Sequence, residues 1–213
     1  VEARAAQIAE AVGGRKIVLG VDRLDYTKGI PERLLAFEQL LAADRSARNR
    51  AVFVQVMVPS RQAVQAYSEL KDEIDRIVGD INGRFSVTGR LPIHYFFRNL
   101  DRAELYAHYR AADVAFITPL RDGMNLVAHE YCASRVDGSG VLVLSKLAGA
   151  ASYLDGALLV NPYDIEGTAA ALRTALDMPL EEQRERMRRN RAAVQELDVH
   201  RWSERFLSAL ESA

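Results

Sequence analysis

Apolar positions along the chain switch repeatedly between two periods. Short runs rich in β-branched and aromatic residues lie at 16–21, 51–58, 93–97, 113–117, 141–144 and 157–160, and each is short enough for one strand. Between them, apolar residues recur three and four apart over 31–41, 62–78, 102–110, 126–133 and 165–176, the spacing of helices with one buried face. Ala5, Ile8, Ala9 and Val12 open the chain in the same helical pattern, which Gly13 and Gly14 end. Pro31 suits a first helical position. Runs such as Val141-Leu142-Val143-Leu144 are apolar on both faces, as in a parallel strand covered by helices on both sides. Strands alternating with helices predict an α/β, doubly wound parallel sheet. Two further helices, 181–197 and 200–210, close the pattern without another strand. The segment 80–84 reads as a turn, and 136–140, with Gly138 and Gly140, as a loose connection. No internal repeat or low-complexity linker divides the 213 residues, so 1–213 is expected to be one domain.

Composition narrows the function classes. With 28 Lys+Arg against 29 Asp+Glu, the formal net charge is −1, which leaves no basic field for nucleic acid and no polybasic membrane anchor. The arginines of 184–191 alternate with Glu182 and Glu185 at i,i+4 spacing, the pattern of a solvated helix face. The single cysteine, Cys132, excludes an internal disulfide and points to a reducing, cytoplasmic setting. No run approaches the ~20 apolar residues of a membrane-spanning helix. The chain starts at Val1 already in a helical pattern, so it reads as a piece of a longer protein.

In an open α/β sheet, ligands sit beyond the carboxyl ends of the strands. After the first strand, Arg23 and Lys28 share one loop leading to a helix N-terminus, where a planar fork and a point charge could together neutralise a diphosphate. They could equally be surface cations paired with Asp22 and Asp25. The loop matches neither the dinucleotide fingerprint nor the P-loop. Arg61, after the second strand, suits an anion or a salt bridge. After the fourth strand, Arg121, Asp122, Asn125 and Glu130 crowd one strand–helix junction around Gly123. Asp122 could accept sugar hydroxyls or simply cap the helix, and Glu130 could reach a ribose diol. The histidines (His94, His108, His129 and His200) have no metal spacing, and no Asp-x-Asp pair or Ser/His/Asp constellation appears. Cys132 reads as buried and inert.

Several segments then carry a resemblance along essentially the whole chain: Arg-Leu-Asp-Tyr-Thr-Lys-Gly-Ile at 23–30, Ile-Asn-Gly-Arg-Phe at 81–85 and Thr-Pro-Leu-Arg-Asp-Gly-Met-Asn-Leu-Val-Ala at 118–128. Leu-Ala-Gly-Ala-Ala at 147–151 and Leu-Val-Asn-Pro-Tyr-Asp at 159–164 follow in the same order. Together they resemble the trehalose-6-phosphate synthase family, retaining glycosyltransferases of the two-Rossmann GT-B architecture. The resemblance implies transfer of glucose from UDP-glucose to glucose 6-phosphate with no cofactor and no active-site metal. It implies that this chain is the C-terminal, donor-binding Rossmann-like half, inactive by itself, whose partner is the N-terminal acceptor domain missing here. Arg23 and Lys28 then match the donor diphosphate clamp, and Asp122 the carboxylate holding the donor glucose. Gly123, Met124, Asn125, Leu126, Val127, Ala128 and His129 match the turn around sugar and phosphate, and Glu130 the ribose ligand. Leu100 falls at the nucleotide-base pocket, where the family can carry Phe, and Arg61 matches a contact to the acceptor phosphate. His129 stands where Lys is frequent, and Ser145-Lys146-Leu147 where Ser-Glu-Phe is usual. A glucosylglycerol-phosphate synthase, a cyclitol-coupling pseudo-glycosyltransferase and an inactive nucleotide-sugar-binding module share the scaffold and stay open as alternatives. Trp202, Phe206 and Leu210 repeat at four-residue spacing on the last helix. That stripe is expected to be exposed, or covered by another copy in a homo-oligomer.

Overall fold

The β-branched runs become one parallel sheet. In a computed structural model, which describes residues 1–60, 64–197 and 199–211 (the side chains of Val199, His200, Trp202 and Arg205 excepted), six strands take the order β3-β2-β1-β4-β5-β6. They are β1 (Lys16–Arg23), β2 (Ala51–Val58), β3 (Ile93–Phe97), β4 (Val114–Ile117), β5 (Val141–Ser145) and β6 (Leu158–Val160). The helices are α1 (Glu2–Ala11), α2 (Ile30–Ala43), α3 (Ala47–Arg50), α4 (Gln65–Phe85), α5 (Arg102–Ala111), α6 (Leu126–Ser134), α7 (Ile165–Asp177), α8 (Leu180–Glu196) and α9 (Val199–Glu211). Every strand pair is parallel. The order reverses direction between β1 and β4, the switch point at which doubly wound sheets open a crevice.

Alternation along the strands divides the core into two layers. Val18, Phe53, Met57, Phe116 and Val143 pack with α2, α4 and α7 on one face. Ile17, Leu19, Val54, Ala115, Ile117 and Leu142 pack with α1, α5, α6 and α8 on the other. Successive strand side chains point to opposite faces, so both faces being apolar accounts for the unbroken runs in the sequence.

Three local features differ from the sequence reading. Residues 80–84 are not a turn: α4 continues through them to Phe85, because Ile74, Ile77, Val78 and Ile81 keep one apolar stripe buried on the sheet. The Asn82 side chain then holds both the N–H and the C=O of Ile93 at the start of β3. The short α3 interrupts the α2–β2 connection, anchored where Asp44 accepts from Ser46 and Ala47. Finally, β1 runs two residues further than expected, to Arg23, since the β2 ladder stays in register as far as Val58. Phe206 and Leu210 of the expected stripe on α9 are exposed in this single chain, as is Leu207 beside them, while the Trp202 side chain lies outside the described residues. The charged face of α8 pairs internally, Arg186 with Glu182 and Arg188 with Glu185.

Candidate functional site

Two loops meet at the switch point. The first leaves β1 at Arg23, makes a single 3₁₀ turn over Tyr26–Lys28 and enters α2 through Gly29. Asp25 caps that turn, accepting from the Thr27 N–H at 2.9 Å and the Thr27 hydroxyl at 2.7 Å. Gly29 sits at φ 62°, and a Cβ there would stand 2.5 Å from the Thr118 carbonyl oxygen of the second loop. Only glycine meets both conditions. The second loop leaves β4 at Thr118 and enters α6 through Asn125. The Thr27 carbonyl ties the two together, accepting from the Leu120 and Arg121 N–H groups at 2.8 and 3.1 Å.

Across this junction Lys28 and Asp122 are in contact: Nζ donates to the carboxylate at 2.7 Å. Asp122 also accepts from the Asn125 amide at 3.1 Å and the Met124 N–H at 3.3 Å. Burial pushes its pKa up, but the Lys28 bond and charge, with the Met124 and Asn125 donors, outweigh that and hold it below the ordinary carboxylate value. The alternative role for Asp122, capping α6, belongs instead to Asn125, whose side chain accepts from the Ala128 N–H at 3.0 Å while its backbone takes φ 83°. The first-turn N–H groups of Leu126 and Val127 have no acceptor within the helix, so the end of α6 can bind an anion or hydroxyls. Behind the turn, the Gly149 and Ala150 N–H groups donate to the carbonyls of Asp122 and Met124, each at 2.9 Å, fixing its back wall.

The pairing of cations departs from the simple alternative read from spacing. Arg23, more than half exposed, reaches Asp25 only at 3.5 Å, and Lys28 takes Asp122 rather than a neighbour in its own loop. Desolvation raises the pKa of Asp25, yet the Thr27 donors and the Arg23 charge leave it lowered. Asp22 belongs to a third cation, Arg33 of α2, with Gln55 and Thr118 around them, all buried. Arg33 and Gln55 escaped the sequence reading. The signal was there: Arg33 interrupts the buried stripe of Ile30, Leu34 and Phe37, and Gln55 stands alone in the apolar run of β2.

One turn into α6, His129 lies between the Asn125 carbonyl (Nδ1, 2.9 Å) and the Tyr153 hydroxyl (Nε2, 2.8 Å). Glu130 accepts from the Tyr109 hydroxyl at 2.8 Å. Burial, with the Glu130 charge, pushes the Tyr109 hydroxyl well above the usual phenol range. Leu100 is half-buried before α5 and lines a cavity of about 150 Å³ with Val54, Phe96 and Arg98. Arg61 lies outside the described residues. Cys132 is fully buried and its thiol is pushed up to about 12 by desolvation. Among the described residues no group of three or more His, Cys, Asp or Glu is arranged to hold a metal ion. Nor, among them, is any helix long and apolar enough to cross a membrane.

A reversed strand order, a cation-bearing loop and a polar helix-entry turn at its switch point define a ligand-binding α/β unit of the Rossmann-like class, suited to an anion joined to a polyol. More particularly, the chain belongs to glycosyltransferase family 20, whose model matches residues 1–212. It is 51% identical over 208 residues to the trehalose-6-phosphate synthase of Mycobacterium avium, covering 97% of this chain and 42% of that protein. With the Mycobacterium leprae enzyme it shares 51% identity over 214 aligned residues, 100% of this chain and 43% of that protein. Among solved structures it matches an α,α-trehalose-phosphate synthase (UDP-forming) from Burkholderia xenovorans in complex with glucose-6-phosphate. There the TM-score is 0.94 at 44% identity, over 98% of this chain and 46% of that one. It also matches trehalose-6-phosphate synthase from E. coli bound with UDP-2-fluoro glucose, at TM-score 0.95 and 40% identity, over 99% and 47%. The chain therefore spans less than half the length of these relatives. The expected fold, a doubly wound Rossmann-like half of a GT-B glycosyltransferase, holds.

Proposed function

We propose that this chain is the UDP-glucose-binding half of an α,α-trehalose-phosphate synthase, transferring glucose to glucose 6-phosphate with retention once joined to an acceptor-binding half. The observation that carries the reading is the Lys28–Asp122 contact across the switch point, which sets a phosphate-seeking ammonium 2.7 Å from a hydroxyl-seeking carboxylate. A nucleotide sugar carries a hexose joined directly to a diphosphate, so a cation and a carboxylate side by side suit the two parts. Arg23 and Lys28 take the diphosphate, Asp122 the glucose hydroxyls, and the N–H groups at the start of α6 the sugar and phosphate oxygens. Glu130 takes the ribose, Leu100 packs by the base, and Arg61 reaches the acceptor phosphate. The family membership and the ligands named for the two solved relatives support the same assignment.

In this reading the bond from the anomeric carbon to the diphosphate breaks as the acceptor hydroxyl oxygen bonds to the same face. The hydroxyl proton passes to the departing phosphate oxygen. The two cations carry the charge that develops on UDP, the task a metal performs in other transferases. Calorimetry with UDP tests the clamp. Arg23→Ala and Lys28→Ala should each weaken binding by about 1–3 kcal/mol, the range of charge-assisted hydrogen bonds, and a chelator should change nothing. Undiminished affinity in both variants rejects the assignment, and a requirement for a divalent cation rejects its metal-free part.

A further inference from the structure

We infer that Arg33, buried beneath the site, is a positioning residue that sets where Lys28 stands; the inference rests on the proposed diphosphate role of Lys28. Arg33 is 1% exposed and spends all five of its N–H donors. Nε donates to the Thr118 hydroxyl at 3.1 Å. Nη1 donates to Asp22 Oδ2 and, at 3.3 Å, to Gln55 Oε1. Nη2 donates to Asp22 Oδ1 at 3.3 Å and to the Lys28 carbonyl at 3.1 Å. Gln55 completes the set by donating to Asp22 at 3.2 Å.

These acceptors come from both walls of the crevice. Lys28 and Asp22 belong to the β1 side and Thr118 to the β4 side, while Gln55 reaches in from β2. The guanidinium thus joins from below the two loops that Thr27 and the Lys28–Asp122 pair join from above. It holds the backbone of Lys28 itself, one residue before the left-handed Gly29, so that the Lys28 side chain starts from one place. The chain leaves room for it: Gly20 is opposite Gln55 in the β1–β2 ladder, and a Cβ there would stand 2.4 Å from Gln55 Oε1 and 2.8 Å from Arg33 Nη1.

A gain in stability is a poor reason for such a device, because buried ion pairs are often no better than an apolar replacement of the same volume. Fixed geometry is the better reason. The fork is planar and rigid, and the residues it touches lie in β1, in β2, in the turn before α2 and directly after β4. Asp22 cancels the charge of Arg33, so the network adds no net charge to the crevice. Its effect on an anion passes through the position of Lys28.

The test is a double-mutant cycle read by UDP calorimetry, with thermal melts to follow folding. Arg33→Met removes all five Arg33 bonds and leaves Gln55 on Asp22. Thr118→Val removes one acceptor at constant shape and serves if Arg33→Met does not fold. Either should weaken UDP binding by about 5- to 10-fold, one ordinary hydrogen bond's worth, in the otherwise unaltered chain. In a Lys28→Ala background the same change should have less than about a 2-fold effect, since the residue being positioned is gone. Equal fold-changes in both backgrounds, or none in either, overturn the positioning role even if melting temperatures fall. If Lys28→Ala alone leaves UDP affinity intact, the diphosphate reading fails first and is identified as the failure.

Discussion

Asp122 has a carboxylate whose pKa is lowered in the folded chain, and the sign of its pH effect follows. A carboxyl that ionises more readily when folded stabilises the fold above its unfolded value, about 3.9, and loses that contribution as pH falls through the lower folded value. The gap in urea midpoint between the parent and Asp122→Asn should therefore be full at pH 5 to 7 and narrow steadily as pH falls below about 3.9. A gap that widened in acid would contradict the Lys28 pairing. Gly20 gives a second case. Its substitution by Ala drives a methyl into Gln55 and Arg33, both buried and multiply bonded, and should cost about 1–3 kcal/mol in urea unfolding. At this scale the sequence was informative about residue types and poor at pairing. Arg23, Lys28, Asp122, Asn125 and Glu130 stood out because polar groups crowd the positions just after strands. That Lys28 turns to Asp122, 94 residues away, and leaves Asp22 to Arg33, depends on which loops the sheet brings together.

Among the elements, α6 shows how a local signal fixes an entry. Asn125 combines a side-chain cap with a left-handed backbone, two demands that few residues meet. Asn125→Ala should lose about 1–2 kcal/mol, paying for both, whereas Asn125→Gly should lose less, because glycine accepts the backbone and forfeits only the cap. Chemical denaturation of the two variants orders them; equal losses would assign the whole effect to the cap. The strand runs at 51–58 and 93–97 coincide with β2 and β3 because both are short and apolar. The reading failed within 80–84, where Asn82-Gly83 resembles a turn by local preference. Burial of Ile77 and Ile81 on the sheet outweighs that preference, since tertiary packing of an apolar face supplies most helical stability. A local signal has no access to that burial.

For the whole molecule, strand order is the property that makes the site. The order β3-β2-β1-β4-β5-β6 parts the loops after β1 and β4 to either side of one crevice. Adding the other half of a family member to this chain should restore transfer of glucose from UDP-glucose to glucose 6-phosphate, followed by release of UDP. Restored activity that disappears in Lys28→Ala would connect that turnover to this crevice. Failure with every acceptor-binding half tried, together with intact UDP binding, would favour a nucleotide-sugar-binding module.

Sequence alone determined the α/β class, the six strands, the burial of Cys132 and the residue types that gather after β1 and β4. Those follow from periodicity and from local backbone rules, which act over a few neighbouring positions. Only the tertiary structure decided that α4 runs on to Phe85, that Asp122 turns to Lys28, and that a buried Arg33 links both walls beneath Lys28. Each of these depends on atoms far apart in the chain, whose contact is set by strand order and by the cost of burying an unpaired polar group.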